Sequence, residues 1–210
     1  MTRVKVCGIT RLEDAMLAAE LGAAALGFVF WPQSPRFVDP EIAASIVRAL
    51  PRAITAVGVF VDQPMDDVQR LAQAVGLSAV QLHGHESLDY AARLMQPVIK
   101  AVAVDERFAA ESLDELPLEI TVLLDAHDPV RRGGTGRTID WRAAAYAAAR
   151  RPIFLSGGLT PSNVADAIAR VRPYGVDLSS GVESSPGIKD PVKLRALFAA
   201  VGTAPVEHHG

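Results

Sequence analysis

Cysteine is nearly absent from this sequence, which has one, Cys7, among 210 residues. A single cysteine cannot form an internal disulfide, which is typical of proteins in a reducing cytoplasm. The chain starts Met-Thr-Arg-Val-Lys-Val, which leads straight into a predicted strand without the pattern of a secretion signal. We therefore expect a cytoplasmic protein.

An excess of basic residues and a long apolar run are also missing. The 21 Lys and Arg residues are outnumbered by 24 Asp and Glu residues, and they are scattered along the chain. Such a surface has no basic field to attract nucleic acid. Gly, Pro or charge interrupts every apolar stretch well before the roughly 20 residues that a membrane span needs. We expect neither nucleic acid nor a membrane as a partner.

Common nucleotide and metal motifs are absent too. The first predicted strand is followed by Cys-Gly-Ile-Thr rather than by the G-x-G-x-x-G turn of a dinucleotide-binding fold. There is no G-x-x-x-x-G-K-[ST] run for a nucleoside triphosphate and no H-x-x-x-H spacing for a metal. The adjacent His208 and His209 near the C-terminus are only a weak metal signal.

What the sequence does contain is a strand pattern followed by a helix pattern, eight times over. Helix starts are indicated by Asp39-Pro40, Asp140, Thr160-Pro161 and Asp190-Pro191, and by Thr10 to Glu13, which has the form of a capping box. Eight such units without a linker predict one (β/α)₈ TIM barrel with a parallel eight-stranded sheet, over residues 1–202. An open doubly wound sheet is the alternative. Residues 203–210 are expected to form a disordered tail.

A barrel places functional groups at the carboxyl ends of its strands and in the loops that follow. Side chains alternate along a strand, so Lys5 would lie one layer below Cys7 and would need a carboxylate partner. Its charge would favour the thiolate, and Cys7 would be a nucleophile or base. The alternative is that Lys5 faces outward and Cys7 is buried filler. The other candidates at strand ends and in loops are Gly8, Arg36, Asp62, Gln81, His83, Asp105, Asp125, Gly157, Gly158, Asp177, Ser179 and Ser180.

Asp125 ends a strand that is otherwise almost entirely apolar. Burial raises the pKa of a carboxyl group toward values that suit a general acid, although an aspartate at a strand end can also simply cap a turn. His83 and His127 follow strands as well, and each could bond a loop as readily as take part in chemistry. Asp125 is therefore the stronger candidate.

Three glycine-rich segments follow the sixth, seventh and eighth strands, at residues 133–136, 156–159 and 179–182. Glycines let main-chain amides approach an anion, and loops seven and eight are the usual phosphate site of a barrel. These segments predict a phosphate monoester as ligand. Arg36, between prolines in loop two, could hold a carboxylate; the alternative is a surface ion pair with Asp39.

Seven segments in chain order can be read together: KVCGIT at 5–10, SPRFV at 34–38, QLHG at 81–84, LLD at 123–125, GGTG at 133–136, SGGL at 156–159 and DLSSGVE at 177–183. Together they resemble the phosphoribosylanthranilate isomerase family of tryptophan biosynthesis. The resemblance implies an Amadori rearrangement of N-(5'-phosphoribosyl)anthranilate to an aminodeoxyribulose phosphate, without a metal or an organic cofactor.

The resemblance also implies roles for individual residues. Asp125 would be the general acid that opens the furanose ring, and Cys7 would be the general base that removes the C2' proton. Arg36 would hold the anthranilate carboxylate. The other expected substrate-binding positions are Gly134, Thr135, Gly157, Gly158, Asp177, Ser180 and Gly181.

Two other readings keep the barrel. One is a different sugar-phosphate enzyme, either an epimerase, which would need metal-binding His and Asp at several strand ends, or indole-glycerol-phosphate synthase, which would need a lysine and glutamate pair. The other is a phosphate-binding barrel without turnover, in which Cys7 is filler. The oligomeric state stays open between a monomer and a homodimer.

Overall fold

Eight parallel strands form a closed barrel in the computed structural model, which describes residues 2–126 and 139–203. Each strand pairs in parallel with its sequence neighbours, and the eighth strand pairs with the first to close the barrel. The predicted (β/α)₈ fold is therefore confirmed. The strands are β1 Arg3–Cys7, β2 Ala25–Val29, β3 Thr55–Phe60, β4 Ala79–Leu82, β5 Val98–Val104, β6 Thr121–Ala126, β7 Ile153–Leu155 and β8 Gly175–Leu178.

Helices follow the strands, and three of the predicted caps are confirmed. Asp39, Asp140 and Asp190 each accept a hydrogen bond from the backbone amide two residues later, at 2.8 Å. These bonds satisfy amides that have no partner inside the helix. The helices are α1 Leu12–Glu20, α2 Pro40–Ala49, α3 Met65–Val75, α4 Leu88–Ala92, α5 Trp141–Arg150, α6 Val164–Val171 and α7 Pro191–Gly202, with a 3₁₀ helix at Ala110–Glu115 between β5 and β6.

The predicted capping box at Thr10 is wrong. Helix α1 begins after Arg11, and no side chain caps it. The Thr10 hydroxyl instead donates a hydrogen bond to the carbonyl of Gly187, 177 residues away along the chain. The hydroxyl that the local sequence pattern assigned to the helix cap therefore makes a tertiary contact with the loop after β8 instead.

Helix α6 begins later than predicted, at Val164 rather than at Thr160. The Asn163 side chain explains the delay, because it accepts a hydrogen bond from the Thr160 amide at 2.8 Å and donates one to the Gly158 carbonyl at 3.0 Å. The segment 160–163 is therefore a turn that leads from β7 into the helix.

The interior of the barrel has apolar and charged layers. Lys5 shares its level with Ala25 and Asp177, and Cys7 lies above it with Val29 and Val59. A larger apolar cluster fills the space between the strands and the helices. The apolar residues across the middle of the barrel are Ala25, Val57, Ala79, Ile99, Leu123 and Phe154.

The loop after β8 carries a two-stranded hairpin that the sequence did not predict. Strand β9, Glu183–Ser185, pairs in antiparallel fashion with β10, Ile188–Lys189. Gly187 has a φ of 80°, a conformation that favours glycine in the turn between them. Within residues 2–126 and 139–203, no helix has the length and apolar character needed to cross a membrane. Residues 204–210 lie outside the described ranges, so the predicted tail stays a prediction.

Candidate active site

A cavity of about 590 Å³ opens at the carboxyl ends of the barrel strands. It brings together Cys7, Arg36 and Asp125, which are separated by up to 118 positions in the chain but all line this one space. Strand-end and loop residues both contribute. The lining is Cys7, Val29, Trp31, Gln33, Ser34, Pro35, Arg36, Val59, Val61, Gln81, His83, Asp125, Ser156, Asp177, Ser179 and Pro186.

Cys7 is the last residue of β1, and its thiol lies at the floor of the cavity. A Cβ atom on Gly27 of β2 would stand 2.7 Å from the Cys7 sulfur, so the glycine leaves room for the thiol. Burial raises the pKa of Cys7 above its usual value, while the nearby Lys5 acts to lower it. Lys5 does lie beneath the thiol, as predicted, and its charge acts toward the thiolate, but burial has the larger effect on the pKa of Cys7.

Lys5 was predicted to need a carboxylate partner, and in the structure this partner is Asp177. The Lys5 Nζ atom lies 2.9 Å from Asp177 Oδ1, and the ammonium is fully buried. Burial lowers the pKa of Lys5, but the charges and hydrogen bonds of Asp177 and Cys7 together outweigh burial, and the pKa lies above its usual value. Asp177 also lines the cavity, so contact between its side chain and a ligand stays a prediction.

Asp125, on β6, is buried and has a neighbour that was only weakly indicated by the sequence. His83 Nε2 lies 3.2 Å from Asp125 Oδ2, and His83 Nδ1 lies 2.9 Å from the Gln81 amide nitrogen. If this amide donates to Nδ1, then the neutral imidazole carries its proton on Nε2, the nitrogen that faces Asp125. The shared face of Gln81 and His83 was visible in the strand alternation, but their approach to β6 was not.

Arg36 does not pair with Asp39, so the alternative of a surface ion pair is wrong. Its Nη2 and Nε atoms bind the carboxylate of Glu183 at 2.7 Å and 3.0 Å, while Asp39 caps α2. Glu183 also lies 2.7 Å from the buried ammonium of Lys189. No pattern in the sequence pointed to Glu183 and Lys189 as partners of loop two.

The glycine segments of loops seven and eight meet at the rim of the cavity, which Ser156 and Ser179 line. Gly157 and Gly158 have positive φ angles of 86° and 61°. A Cβ atom on Gly181 would collide with the Leu159 carbonyl, so the two loops are closely packed there. The predicted Gly134 and Thr135, and His127, lie outside the described residues.

Two further observations bear on the alternatives. Lys100 and Glu86 form a partly buried ion pair at 2.8 Å, but neither residue lines the cavity, where a lysine and glutamate pair would have to act. Within the described parts of the chain, no three His, Cys, Asp or Glu side chains are grouped so that they could hold a metal ion.

Comparison with known proteins gives one consistent result. Residues 4–200 match the family model described as N-(5'phosphoribosyl)anthranilate (PRA) isomerase. The N-(5'-phosphoribosyl)anthranilate isomerase of Pelobacter propionicus is 52% identical over 198 residues, covering 94% of each chain. Phosphoribosyl anthranilate isomerase from Thermus thermophilus superposes with a TM-score of 0.88 at 43% identity, covering 96% of this chain and 99% of that one.

A further solved structure is of a phosphoribosyl anthranilate isomerase in complex with reduced 1-(o-carboxyphenylamino)-1-deoxyribulose 5-phosphate. It superposes with a TM-score of 0.85 at 42% identity, and the match covers 96% of this chain and all of that one. The sequence and fold similarities therefore extend over nearly the whole chain. With Cys7 and Asp125 in one cavity at the mouth of such a barrel, the chain belongs to the N-(5'-phosphoribosyl)anthranilate isomerase family.

Proposed function

We propose that this cavity converts N-(5'-phosphoribosyl)anthranilate to 1-(2-carboxyphenylamino)-1-deoxyribulose 5-phosphate, the isomerisation step of tryptophan biosynthesis, with Asp125 as acid and Cys7 as base. The observation that most directly supports this proposal is that the two side chains line one cavity from strands on different sides of the barrel. An acid and a base held in this way can serve two successive proton transfers on one bound substrate.

Asp125 takes part in the first transfer. Its carboxyl proton passes to the furanose ring oxygen as the bond between C1' and that oxygen breaks. The lone pair of the anthranilate nitrogen forms the C1'–N double bond, so the ring opens to a cationic imine and Asp125 is left as the carboxylate. The approach of His83 Nε2 to Asp125 Oδ2, at 3.2 Å, supports this role because a proton on that nitrogen would stabilise the carboxylate.

Cys7 takes part in the second transfer. As the thiolate it removes the proton from C2', and the electrons of that bond form the C1'–C2' double bond while the imine nitrogen becomes neutral. The resulting enolamine tautomerises to the ketone. The cationic imine makes C2' acidic and would stabilise a nearby thiolate, which offsets the effect of burial on the Cys7 pKa.

Two anchors would hold the substrate across this pair. Arg36 binds the anthranilate carboxylate, and the glycine loops with Gly157, Gly158, Ser180 and Gly181 bind the phosphate, together with Gly134 and Thr135 as expected from the sequence. The ligand of the solved relative carries a carboxyphenyl group at one end and a 5-phosphate at the other. Fixing both ends lowers the entropic part of the barrier at the carbons between them.

The test is an assay that follows the loss of anthranilate-type fluorescence from freshly made phosphoribosylanthranilate. We expect turnover by the wild type and a fall in kcat of about 10² to 10⁴ for Cys7→Ala, the range for loss of a general base. Circular dichroism would check that the variant is folded. A folded Cys7→Ala variant with near wild-type kcat would contradict the role of Cys7, and an inactive wild type would contradict the proposed function.

A further inference from the structure

A chain of buried charges runs behind Arg36 at the wall of the cavity. Glu183 accepts hydrogen bonds from Arg36 on one side and from Lys189 on the other, with both shortest distances at 2.7 Å. The side chains are 11% exposed for Arg36, 4% for Glu183 and 0% for Lys189. Glu183 is not among the described residues that line the cavity, but it binds Arg36, which is.

This cluster of Arg36, Glu183 and Lys189 contains two cations and one carboxylate. Burial raises the pKa of Glu183, but hydrogen bonds from Arg36 and the charge of Lys189 outweigh burial, so its pKa lies below the usual value and the group is charged. Burial lowers the pKa of Lys189 below its usual value, and the charge of Glu183 opposes burial without reversing it. The Lys189 nitrogen has three acceptors within 3.5 Å, in Glu183 and in the carbonyls of Cys7 and Ser179, which matches the three donors of an ammonium.

The other carboxylate near Lys189 is already engaged. Asp14 accepts a hydrogen bond from the backbone amide of Lys189 at 3.0 Å, and its charge is paired with Arg11 at 2.8 Å. The cluster therefore keeps one surplus positive charge beside the cavity. An anion that enters the cavity next to Arg36 would balance it.

The geometry of Arg36 is constrained at both ends of its side chain. Its Nε and Nη2 atoms bind Glu183, and within the described residues Nη1 has no hydrogen-bond partner. A Cβ atom on Gly8 would stand 2.7 Å from Arg36 Cδ, so the aliphatic part lies tightly against the backbone after β1. A guanidinium held in this way loses little conformational freedom when it binds a carboxylate.

We propose that Glu183 is a positioning residue for substrate recognition: it orients Arg36 toward the anthranilate carboxylate, and Lys189 restores the positive charge that this pairing would otherwise cancel. This inference rests on the proposed function, in which Arg36 binds that carboxylate. Lys189 also donates to the Cys7 carbonyl at 2.6 Å, so one ammonium connects the carboxylate anchor to the end of the strand that carries the base.

The Glu183→Gln variant distinguishes orientation of Arg36 by Glu183 from an effect of net charge alone. The substitution leaves the cluster with two positive charges, so charge alone would strengthen the binding of an anion. If Glu183 acts by orienting Arg36, the variant instead binds the carboxylate more weakly. The probes are reduced 1-(o-carboxyphenylamino)-1-deoxyribulose 5-phosphate and the matching phenylamino compound without the carboxyl group, with affinities measured by calorimetry.

We expect Glu183→Gln to weaken binding of the carboxylated probe about tenfold, equivalent to about 1.4 kcal/mol, and to change the carboxyl-free probe less than about twofold. In the assay the loss should fall mainly on KM. In an Arg36→Met background the same substitution should have no further effect on the carboxylated probe. Equal losses for both probes, or tighter binding of the carboxylated one, would overturn the proposal.

Two further variants keep the test decisive. Glu86→Gln removes a carboxylate whose side chain is similarly buried, paired with Lys100 away from the cavity, and should not change the ratio of the two affinities.

If Glu183→Gln does not fold, the double variant Glu183→Gln with Lys189→Met removes both inner charges and leaves the net charge of the cluster at plus one. This double variant should still lose carboxylate preference, and full preference would overturn the proposal.

Failure of this inference can be told apart from failure of the proposed function. A wild type that neither turns over phosphoribosylanthranilate nor prefers the carboxylated probe would contradict the function itself. A wild type with that preference, lost in Arg36→Met but kept in Glu183→Gln, would contradict only the role of Glu183.

Discussion

The strand side and the loop side of the cavity are built in different ways. On the strand side, Cys7 and Asp125 project from the barrel, where backbone hydrogen bonds between neighbouring strands fix their positions. On the loop side, Arg36 is held by Glu183, a residue 147 positions away in the hairpin after β8. The proposed chemistry therefore sits on the rigid sheet, and the proposed recognition of the anthranilate end depends on ion pairs between loops.

The two sides also differ in charge balance. Beneath the thiol, Lys5 and Asp177 form a closed buried pair at 2.9 Å with no net charge. Behind Arg36, the cluster with Glu183 and Lys189 has a net charge of plus one. The Lys5–Asp177 pair therefore adds no net charge beneath the thiol, whereas the charge of the cluster behind Arg36 would favour the anion that the proposed function places there.

Substitution of Asp125 on the strand side should have the largest effect. Asp125→Asn keeps the size of the side chain but removes the transferable proton, so we expect kcat to fall about 10² to 10⁴ fold with a smaller change in substrate affinity. The fluorescence assay gives kcat, and calorimetry with the carboxylated probe gives affinity. An unchanged kcat would remove Asp125 as the acid.

Substitution of Arg36 on the loop side should affect binding more than turnover. Arg36→Met removes the guanidinium but keeps much of the aliphatic side chain, so we expect KM to rise by roughly 10 to 100 fold, in line with the loss of a charged hydrogen bond. The check is the affinity for the carboxylated and carboxyl-free probes. If both affinities fall equally, Arg36 does not bind the carboxylate.

Substitution of Lys5 tests whether a charge on the strand side also tunes the pKa of Cys7. Lys5 opposes the effect of burial on Cys7, so Lys5→Met should raise the pKa of the thiol further and slow its alkylation by iodoacetamide at a given pH. The pH profile of alkylation measures this shift. Because Lys5→Met leaves Asp177 buried without its partner, a loss of stability of about 3 to 5 kcal/mol is expected, and Lys5→Met with Asp177→Asn is the matched control.

That double variant removes the buried pair without leaving an uncompensated charge. Its alkylation profile should again show a higher pKa than in the wild type, because the cation nearest the thiol is still missing. A profile that does not differ from that of the wild type in either folded variant would show that Lys5 supports the barrel without tuning Cys7.

The smallest expected effect is on stability in acid. The pKa of Glu183 is lowered in the folded state, so its contribution to the free energy of unfolding is present above the ordinary value of 4.5 and is lost as the pH falls through the lower folded value. Glu183→Gln should therefore reduce stability near neutral pH and flatten its dependence on pH below 4.5. Urea unfolding at a series of pH values measures this, and parallel pH curves for the two proteins would contradict it.

Local patterns were enough to predict the eight strand-helix units and the side of the barrel that carries the site. Eight strands do alternate with helical segments around the closed barrel, and Asp39, Asp140 and Asp190 cap helices as expected. These features depend on apolar periodicity and on residues a few positions apart, and such information is present in any short window of the chain.

The errors share one physical cause, which is competition from distant groups. The Thr10 hydroxyl binds the Gly187 carbonyl rather than its own helix, and Arg36 binds Glu183 rather than Asp39. The contact of His83 with Asp125 was not predicted, because it joins the residue after β4 to β6, and these two strands are not adjacent in the barrel. None of these outcomes can be read from spacing along the chain.

Sequence patterns were sufficient to predict the barrel, the positions of Cys7 and Asp125 near the ends of β1 and β6, and the family resemblance. The pairing of Lys5 with Asp177 and of Arg36 with Glu183 became evident from the folded chain. Periodicity and capping are encoded by neighbouring residues, whereas burial and ion pairing depend on which strands and loops the closed barrel brings together.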